Sequence, residues 1–245
     1  SVSSTGTGGG FKNFFIPGKT QINDASRPIK DSETAKLEEA GIEAIELKVG
    51  IDALTVVANE NADWADCMTI DQLARIWGPG APAKWSDVEA DWPDAEFELY
   101  GPTSASGTFD YFTETVIGEE DSHRSDYQKT EQDNTIVQGV QGSEAALGYF
   151  GYAYYKENKG SLKAVGVDAG DGCVKPSLEA AQSGKYPLSR PLFIYVNKSS
   201  LQEPHVKAFV EFYIRMAASD LVSQVGYVPI PEQTMEENLR KIDAQ

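Results

Sequence analysis

Apolar residues recur with two different periods along this chain. Residues 42–47 alternate apolar and polar side chains, which predicts a half-buried strand, and residues 51–58 form a longer β-branched run typical of a buried strand. Residues 69–72 read as a capping box, and the helix that follows would place its apolar residues on one face. Strand patterns that alternate with helix patterns predict an α/β fold.

The remaining pattern completes this alternation and suggests two lobes. It predicts a Ser/Thr/Gly loop over residues 1–10, helices over 11–15, 31–40 and 109–116, strands over 97–100 and 191–196, and a strand-to-helix stretch over 147–155. Crossovers near 55–60 and 188–192 predict one lobe from residues 1–57 with 190–245 and a second lobe from residues 58–189. A chain of 245 residues is long enough for two such lobes, and ligands often bind in the cleft between lobes.

Composition narrows the classes of function. The formal net charge is −17, which argues against nucleic acids and anionic membrane surfaces, because both require a positive face on the protein. No apolar run reaches about 18 residues, so we expect no membrane insertion of this chain. His123 and His205 are too few and too far apart for a His-based zinc site or a triad, and no metal-ligand spacing occurs. Cys67 and Cys173 are compatible with one disulfide or with two buried thiols.

Three loops rich in hydroxyl groups and glycine could hold an anion by local hydrogen bonds. The loop at residues 4–12 matches neither nucleotide motif, because Lys12 is followed by asparagine and position 11 is phenylalanine. The loop at residues 24–28 places Ser26 and Arg27 at the end of a predicted strand. The loop at residues 103–108 carries four hydroxyls around one glycine at a predicted helix start. A tetrahedral oxyanion can accept hydrogen bonds from hydroxyls, from the free amides of helix N-termini and from backbone that glycine allows to approach closely.

At these loops the chain resembles the phosphate-binding (PstS-type) family of ABC-transporter solute receptors. The resembling segments are Ser4–Lys12, Asp24–Ile29, Ser104–Phe112, Leu147–Tyr155 and Ser189–Val196, and the likeness covers nearly the whole chain. The resemblance implies a two-lobed periplasmic-binding-protein-like type II fold, with mixed sheets, flanking helices and an interlobe cleft. It also implies that one dehydrated phosphate is held in that cleft by hydrogen bonds.

The resemblance also assigns ligand-binding residues by position. They are Thr7, Gly8, Ser26 and Arg27 in the first lobe, and Ser104, Ser106, Gly107 and Thr108 in the second. Pro102 stands where many members have an arginine, so Arg27 is expected to supply the positive charge, with Arg124 as the second candidate. Ser26 stands where many members have an aspartate that accepts the phosphate proton, and Asp24 and Asp110 stay open as replacements. The oxidising compartment implied by the family favours a Cys67–Cys173 disulfide.

Several further expectations follow from the resemblance. The chain would be a monomer that binds phosphate without catalysis, metal or cofactor and delivers it to ABC-transporter permease subunits. It would work in the periplasm or outside the cell, either free or anchored through a segment outside this sequence. We expect the strand, loop and helix with which family members begin to lie outside this sequence. The alternatives are a receptor for a sulfate-like oxyanion, a partner-binding relative without ligand, and a phosphatase, which lacks a base near Ser106.

Overall fold

The computed structural model describes Val2 and residues 5–243, which form a mixed α/β chain. In chain order the strands of the described residues are β1 (Ile22–Ala25), β2 (Ala44–Ala58), β3 (Cys67–Thr69), β4 (Glu98–Gly101), β5 (Gln128–Lys129), β6 (Ala146–Gly151), β7 (Lys163–Ala164), β8 (Gly166–Asp168), β9 (Cys173–Val174) and β10 (Ser189–Asn197). The α-helices are α1 (Gly6–Gly10), α2 (Asp31–Glu39), α3 (Ile70–Trp77), α4 (Gly107–Phe112), α5 (Asp133–Gln141), α6 (Tyr152–Asn158), α7 (Leu178–Gln182), α8 (Pro204–Ala217), α9 (Asp220–Gln224) and α10 (Glu232–Asp243).

The chain divides into two compact units. Unit 1 comprises Ser1–Asp52 with Arg190–Gln245, and unit 2 comprises Ala53–Ser189. The first division therefore lies five residues before the expected boundary at 57/58, inside β2. The sequence pattern predicts separate strands over residues 42–47 and 51–58, whereas β2 is continuous from Ala44 to Ala58. β2 runs through Gly50, where an added Cβ would make an ordinary contact at 3.6 Å with a methyl of Leu192.

Unit 1 is built on strands in the order β1–β10–β2. β1 runs antiparallel to β10, with Ile22 opposite Val196. One apolar core joins this sheet to the N-terminal helical segment and to α2. Its buried members are Phe11, Phe15, Ala25, Leu37, Phe193 and Tyr195. Because the helical segment Phe11–Phe15, β1 and α2 share this core, the loops between them are held at fixed positions.

Unit 2 contains a mixed sheet in the order β2–β6–β4–β5 and a small sheet in the order β3–β8–β9. β4 runs parallel to both β5 and β6, while β2 and β6 are antiparallel. The core of unit 2 is rich in aromatic rings. The rings of Trp77, Phe112, Tyr127 and Tyr149 pack edge to face or stacked, with centroids 3.9–5.9 Å apart. As expected from the sequence, the Trp and Tyr clusters of this region include core residues.

A disulfide joins Cys67 in β3 to Cys173 in β9, with a Cα–Cα distance of 6.1 Å. The two strands are not neighbours, because β8 lies between them. The sulfur of Cys173 reaches over Gly166 in β8, where an added Cβ would lie only 2.4 Å from it. A glycine at this position therefore leaves the space through which the covalent link crosses the small sheet.

Candidate functional site

A pair of hydroxyls lies where β1 ends in unit 1. The Thr7 hydroxyl accepts a hydrogen bond from the Ser26 amide at 3.0 Å, and its oxygen lies 3.1 Å from the Ser26 hydroxyl oxygen. Thr7 belongs to α1 and Ser26 directly follows β1, so the structure brings together residues 19 positions apart in the sequence. Both hydroxyls can donate as well as accept, which suits an oxyanion with several acceptor oxygens.

The glycines beside this pair form a helix instead of the expected loop. Gly6–Gly10 is α-helical, and it continues as a π-helical segment over Phe11–Phe15. A Cβ on Gly10 would lie 2.2 Å from the side-chain oxygen of Asn23, so only glycine lets α1 approach β1 this closely. The aromatic rings of Phe11 and Tyr195, with centroids 5.0 Å apart, fix the helical segment to the sheet. Packing therefore offsets the poor helix propensity of glycine.

Arg27 lies next to the hydroxyl pair and forms a two-pronged ion pair. Its two terminal nitrogens donate to the two carboxylate oxygens of Glu33, each at 2.9 Å, and one of them also donates to the Pro28 carbonyl at 3.0 Å. The same guanidinium lies 3.6 Å from the position that a Cβ on Gly8 would occupy. Thr7, Gly8, Ser26 and Arg27 are thus neighbours within unit 1.

The loop that carries Ser26 and Arg27 is also anchored to β10. The Ile29 amide donates to the Tyr195 hydroxyl at 2.7 Å, and that hydroxyl donates to Glu46 at 2.5 Å. Burial raises the pKa of Tyr195, so the phenol stays protonated and keeps its donor. The sequence pattern does not identify Glu33, Tyr195 or Glu46 as residues that hold this loop.

The third predicted loop lies before α4 in unit 2. The Ser106 hydroxyl accepts from the Thr108 amide at 3.2 Å and so caps the helix that begins at Gly107. α4 continues as a π-helical segment, so the helical stretch extends to Ile117. Ser104 and Gly107 are exposed, and nothing lies within 4 Å of a Cβ added to Gly107. The loop thus combines a capping hydroxyl with backbone that solvent can reach.

Glu131 anchors this loop, although no pattern in the sequence predicts that contact. Both the amide and the hydroxyl of Thr103 donate to one carboxylate oxygen of Glu131, and the amide bond measures 2.8 Å. The Thr103 hydroxyl in turn accepts from the Ala105 amide at 3.2 Å. One of the four hydroxyls is therefore bound to a carboxylate within the protein, which leaves Ser104, Ser106 and Thr108 as the hydroxyl residues of the candidate site.

Arg124 is buried in unit 2, where its contacts are internal. Its guanidinium donates to Asp126 at 2.7 and 2.9 Å and to the Ile76 carbonyl at 2.9 Å, and it lies over the Phe97 ring at 4.9 Å. This ion pair lowers the pKa of Asp126 to about 2. These contacts are typical of an arginine that stabilises the fold. They hold the guanidinium against internal partners, whereas the sequence suggested Arg124 as a second candidate for binding the ligand.

Asp24 and Asp110, the two candidate acceptors of the phosphate proton, lie in different surroundings. Asp24 follows Asn23 in β1 with its side chain at the surface, although desolvation by the surrounding protein still raises the pKa of its carboxyl. Asp110 lies in the first turn of α4, three residues after Gly107. Each carboxylate is therefore close in sequence to one of the two donor clusters.

His123 lies beneath α4 among aromatic rings. Its ring centroid is 5.2 Å from that of Phe109 and 4.4 Å from that of Tyr127, and its Nδ1 bonds the Arg124 carbonyl at 2.8 Å. Burial in this apolar setting lowers the pKa of His123 to about 4. The histidine is thus neutral at pH 7 and packs among the aromatic rings.

We expect the neutral state of His123 to make unit 2 sensitive to acid. A histidine whose folded pKa is depressed contributes stability above its unfolded pKa of about 6.5, and this is lost as pH falls through its folded pKa. Because the ring is partly solvated, we expect the free energy of unfolding to fall by about 2 kcal/mol between pH 7 and pH 4. Urea unfolding of the wild type and of His123→Asn at both pH values should show this difference. Equal losses in the two proteins would contradict the assignment.

Neither a metal cluster nor a membrane-spanning helix is found in the part of the chain that the structure describes. Within Val2 and residues 5–243 no group of three or more His, Cys, Asp or Glu side chains could hold a metal ion. None of the helices formed by these residues combines the length and the apolar character needed to cross a bilayer. The candidate donors described above are hydroxyls and backbone amides in each unit, with Arg27 in unit 1.

Comparisons with known proteins identify the family of this chain. A family model described as a PBP superfamily domain matches residues 1–216. Protein SphX from a Synechocystis species is 46% identical over 98% of this chain and 72% of its own length, and the phosphate-binding protein PstS of Staphylococcus saprophyticus is 38% identical over 99% and 75%. The crystal structure of a possible phosphate binding protein from Planctomyces limnophilus superposes with a TM-score of 0.90, at 44% identity over 98% of this chain and 85% of that one.

These similarities extend over nearly the whole chain and confirm the type II fold of periplasmic binding proteins that the sequence suggested. A phosphate transport receptor from Vibrio cholerae, at 22% identity and a TM-score of 0.68, shares the fold. The chain therefore belongs to the PstS-type family of phosphate-binding proteins within the PBP superfamily.

Proposed function

We propose that this chain binds inorganic phosphate outside the cytoplasm, without catalysis, and delivers it to an ABC-transporter permease. The observation that carries the proposal is the cluster in unit 1, where the hydroxyls of Thr7 and Ser26 lie 3.1 Å apart beside the guanidinium of Arg27. Hydroxyl and guanidinium donors bind a phosphate oxygen strongly in a partly buried place. The Cys67–Cys173 disulfide supports an oxidising compartment, since such bonds persist outside the reducing cytosol.

A second donor set in unit 2 supports the same ligand. Ser104 and the Ser106 hydroxyl would donate to phosphate oxygens, together with the backbone amides of Gly107 and Thr108 at the start of α4. In the structure the Thr108 amide donates to Ser106 at 3.2 Å, a long bond that a charged oxygen can replace. Arg124 is left out of the proposed set, because its donors are directed at Asp126 and at buried carbonyls.

The net charge of −17 supports recognition by local donors. Such a surface repels anions at long range, so the affinity must come from short hydrogen bonds that replace the hydration shell. The Ser26 hydroxyl can accept a hydrogen bond from the O–H of hydrogen phosphate as well as donate one to a phosphate oxygen. Asp24 and Asp110 are proposed as further acceptors, and selectivity against sulfate depends on which of these groups takes the proton.

Isothermal titration tests the proposal. We expect the wild type to bind about one phosphate per chain, and Ser106→Ala to bind about tenfold more weakly, the cost of one or two lost hydrogen bonds. Ser183→Ala is the matched control, since Ser183 is an exposed hydroxyl of unit 2 whose bond is to its own helix. We expect the control to bind like the wild type.

Other results would favour the alternatives. Heat with sulfate and none with phosphate would indicate a receptor for another oxyanion. Heat with neither would indicate a relative that binds partners without a ligand, and turnover of a chromogenic phosphate ester would indicate an enzyme. Delivery is tested separately, since the phosphate-loaded chain should stimulate ATP hydrolysis by its reconstituted transporter while the phosphate-free chain should not.

A further inference from the structure

A carboxylate takes part in the proposed anion site at a position where a negative charge would be expected to weaken binding. Glu33 accepts from both terminal nitrogens of Arg27 at 2.9 Å and from the Lys30 amide at 2.9 Å. The side chains are 13% exposed for Glu33 and 27% exposed for Arg27, so the pair is largely shielded from water. An exposed ion pair contributes little to stability, whereas a shielded pair with two parallel hydrogen bonds holds both side chains in one geometry.

The first consequence of this contact is orientation. An arginine side chain has many rotamers, and holding one of them costs conformational entropy that a ligand must otherwise supply. The two parallel bonds to Glu33 fix the plane of the guanidinium before any ligand arrives. Glu33 is itself rigid, because it lies in the first turn of α2, whose Leu37 is buried in the core of unit 1.

The second consequence concerns charge. The hydrogen bonds from Arg27 hold the pKa of Glu33 below its usual range, so the pair carries one charge of each sign at neutral pH. The positive charge that Arg27 brings beside Gly8 and Ser26 is therefore offset by the carboxylate of Glu33. An anion bound there is held by directed hydrogen bonds, and a change in ionic strength should alter its affinity little.

We propose that Glu33 is a positioning residue of the anion site, which fixes the Arg27 guanidinium beside Gly8 and cancels its charge. This inference rests on the proposed function, because it takes phosphate as the ligand of that site. Glu33 itself would not touch the phosphate. It would act only through Arg27, and this dependence makes the inference testable.

The test is a double-mutant cycle with inorganic phosphate as the probe, read by titration calorimetry on the full chain. We expect Glu33→Ala and Arg27→Ala each to weaken phosphate binding about tenfold, and the double variant to bind no more than twofold more weakly than Arg27→Ala alone. Glu38→Gln is the control, since Glu38 is an exposed carboxylate on the same helix, and it should bind like the wild type.

Ionic strength supplies a readout that a purely structural role would not change. Between 0.05 and about 0.5 M sodium chloride, the wild-type constant should vary less than twofold, whereas Glu33→Gln, with its uncancelled arginine, should lose about fivefold. Glu33→Gln keeps the size of the side chain, so it carries the test, alone and combined with Arg27→Ala, should Glu33→Ala fail to fold.

Four results would separate a failure of the inference from a failure of the proposed function. Fully additive losses in the cycle would overturn the inference, because Glu33 would then act through the helix start and not through Arg27. Unchanged binding in Glu33→Ala, or equal salt dependence in the wild type and Glu33→Gln, would overturn it as well. Absence of phosphate binding by the wild type would instead contradict the proposed function itself.

Discussion

Replacing Arg190 by leucine is expected to lower the free energy of unfolding at pH 7 by roughly 3–5 kcal/mol, because it leaves a buried carboxylate without its cation. Two nitrogens of Arg190 lie 3.2 Å from one oxygen of Asp52, which is 8% exposed. Asp52 is the last residue of unit 1 before the first crossover, and Arg190 is the first residue after the second. Guanidinium unfolding followed by circular dichroism measures the loss.

The pH dependence of this loss provides its control. Burial raises the pKa of Asp52 more than Arg190 lowers it. A carboxyl whose folded pKa is raised contributes most stability below its unfolded pKa of about 3.9, and this contribution is lost as pH rises through the folded pKa. The penalty of Arg190→Leu should therefore shrink toward pH 4, and a second change, Asp52→Asn, should restore most of the loss at pH 7. An equal penalty at both pH values would contradict the role of the ion pair.

Removing the disulfide is expected to cost about 4–5 kcal/mol of stability, because the bond closes a loop that constrains the unfolded chain. Cys67 and Cys173 are 106 residues apart in the sequence. The double variant Cys67→Ser with Cys173→Ser should unfold at a much lower guanidinium concentration than the oxidised wild type.

Reducing agent distinguishes this effect from a packing effect of the serines. It should shift the unfolding midpoint of the wild type and leave that of the double variant unchanged. Wild-type protein with both thiols titrated and an unaltered midpoint would show that the cross-link does not stabilise this chain.

The fold was largely predictable from the sequence because most elements follow strong local patterns. The capping box at Thr69 does begin α3, and the Thr69 hydroxyl accepts from Gln72 at 3.1 Å. The clearest failure is at the glycines of residues 6–10, which suggested a loop because glycine disfavours regular structure in isolation. The outcome there depends on Asn23, a neighbour distant in the sequence that no local pattern reveals.

The candidate site was predictable in its hydroxyls and much less so in its charges. The structure brings Thr7 to Ser26, as the resemblance suggested for one lobe. The ion pairs could not be assigned, because 38 acidic residues offer many partners to each arginine. For Arg124 the acid is Asp126, two residues away. For Arg27 it is Glu33, whose position at the start of a predicted helix was the one sequence signal available.

The helix of glycines in unit 1 has a consequence for how this protein can change. The amide of Gly8, in the first turn of α1, belongs to the main chain, so no replacement other than proline can delete it. A scan by alanine would record at Gly10 the collision with Asn23 and would report on the spacing between α1 and β1, not on the ligand. Mutations can remove the hydroxyls of Thr7 and Ser26 one by one, while the main-chain amide of Gly8 remains for as long as α1 is folded.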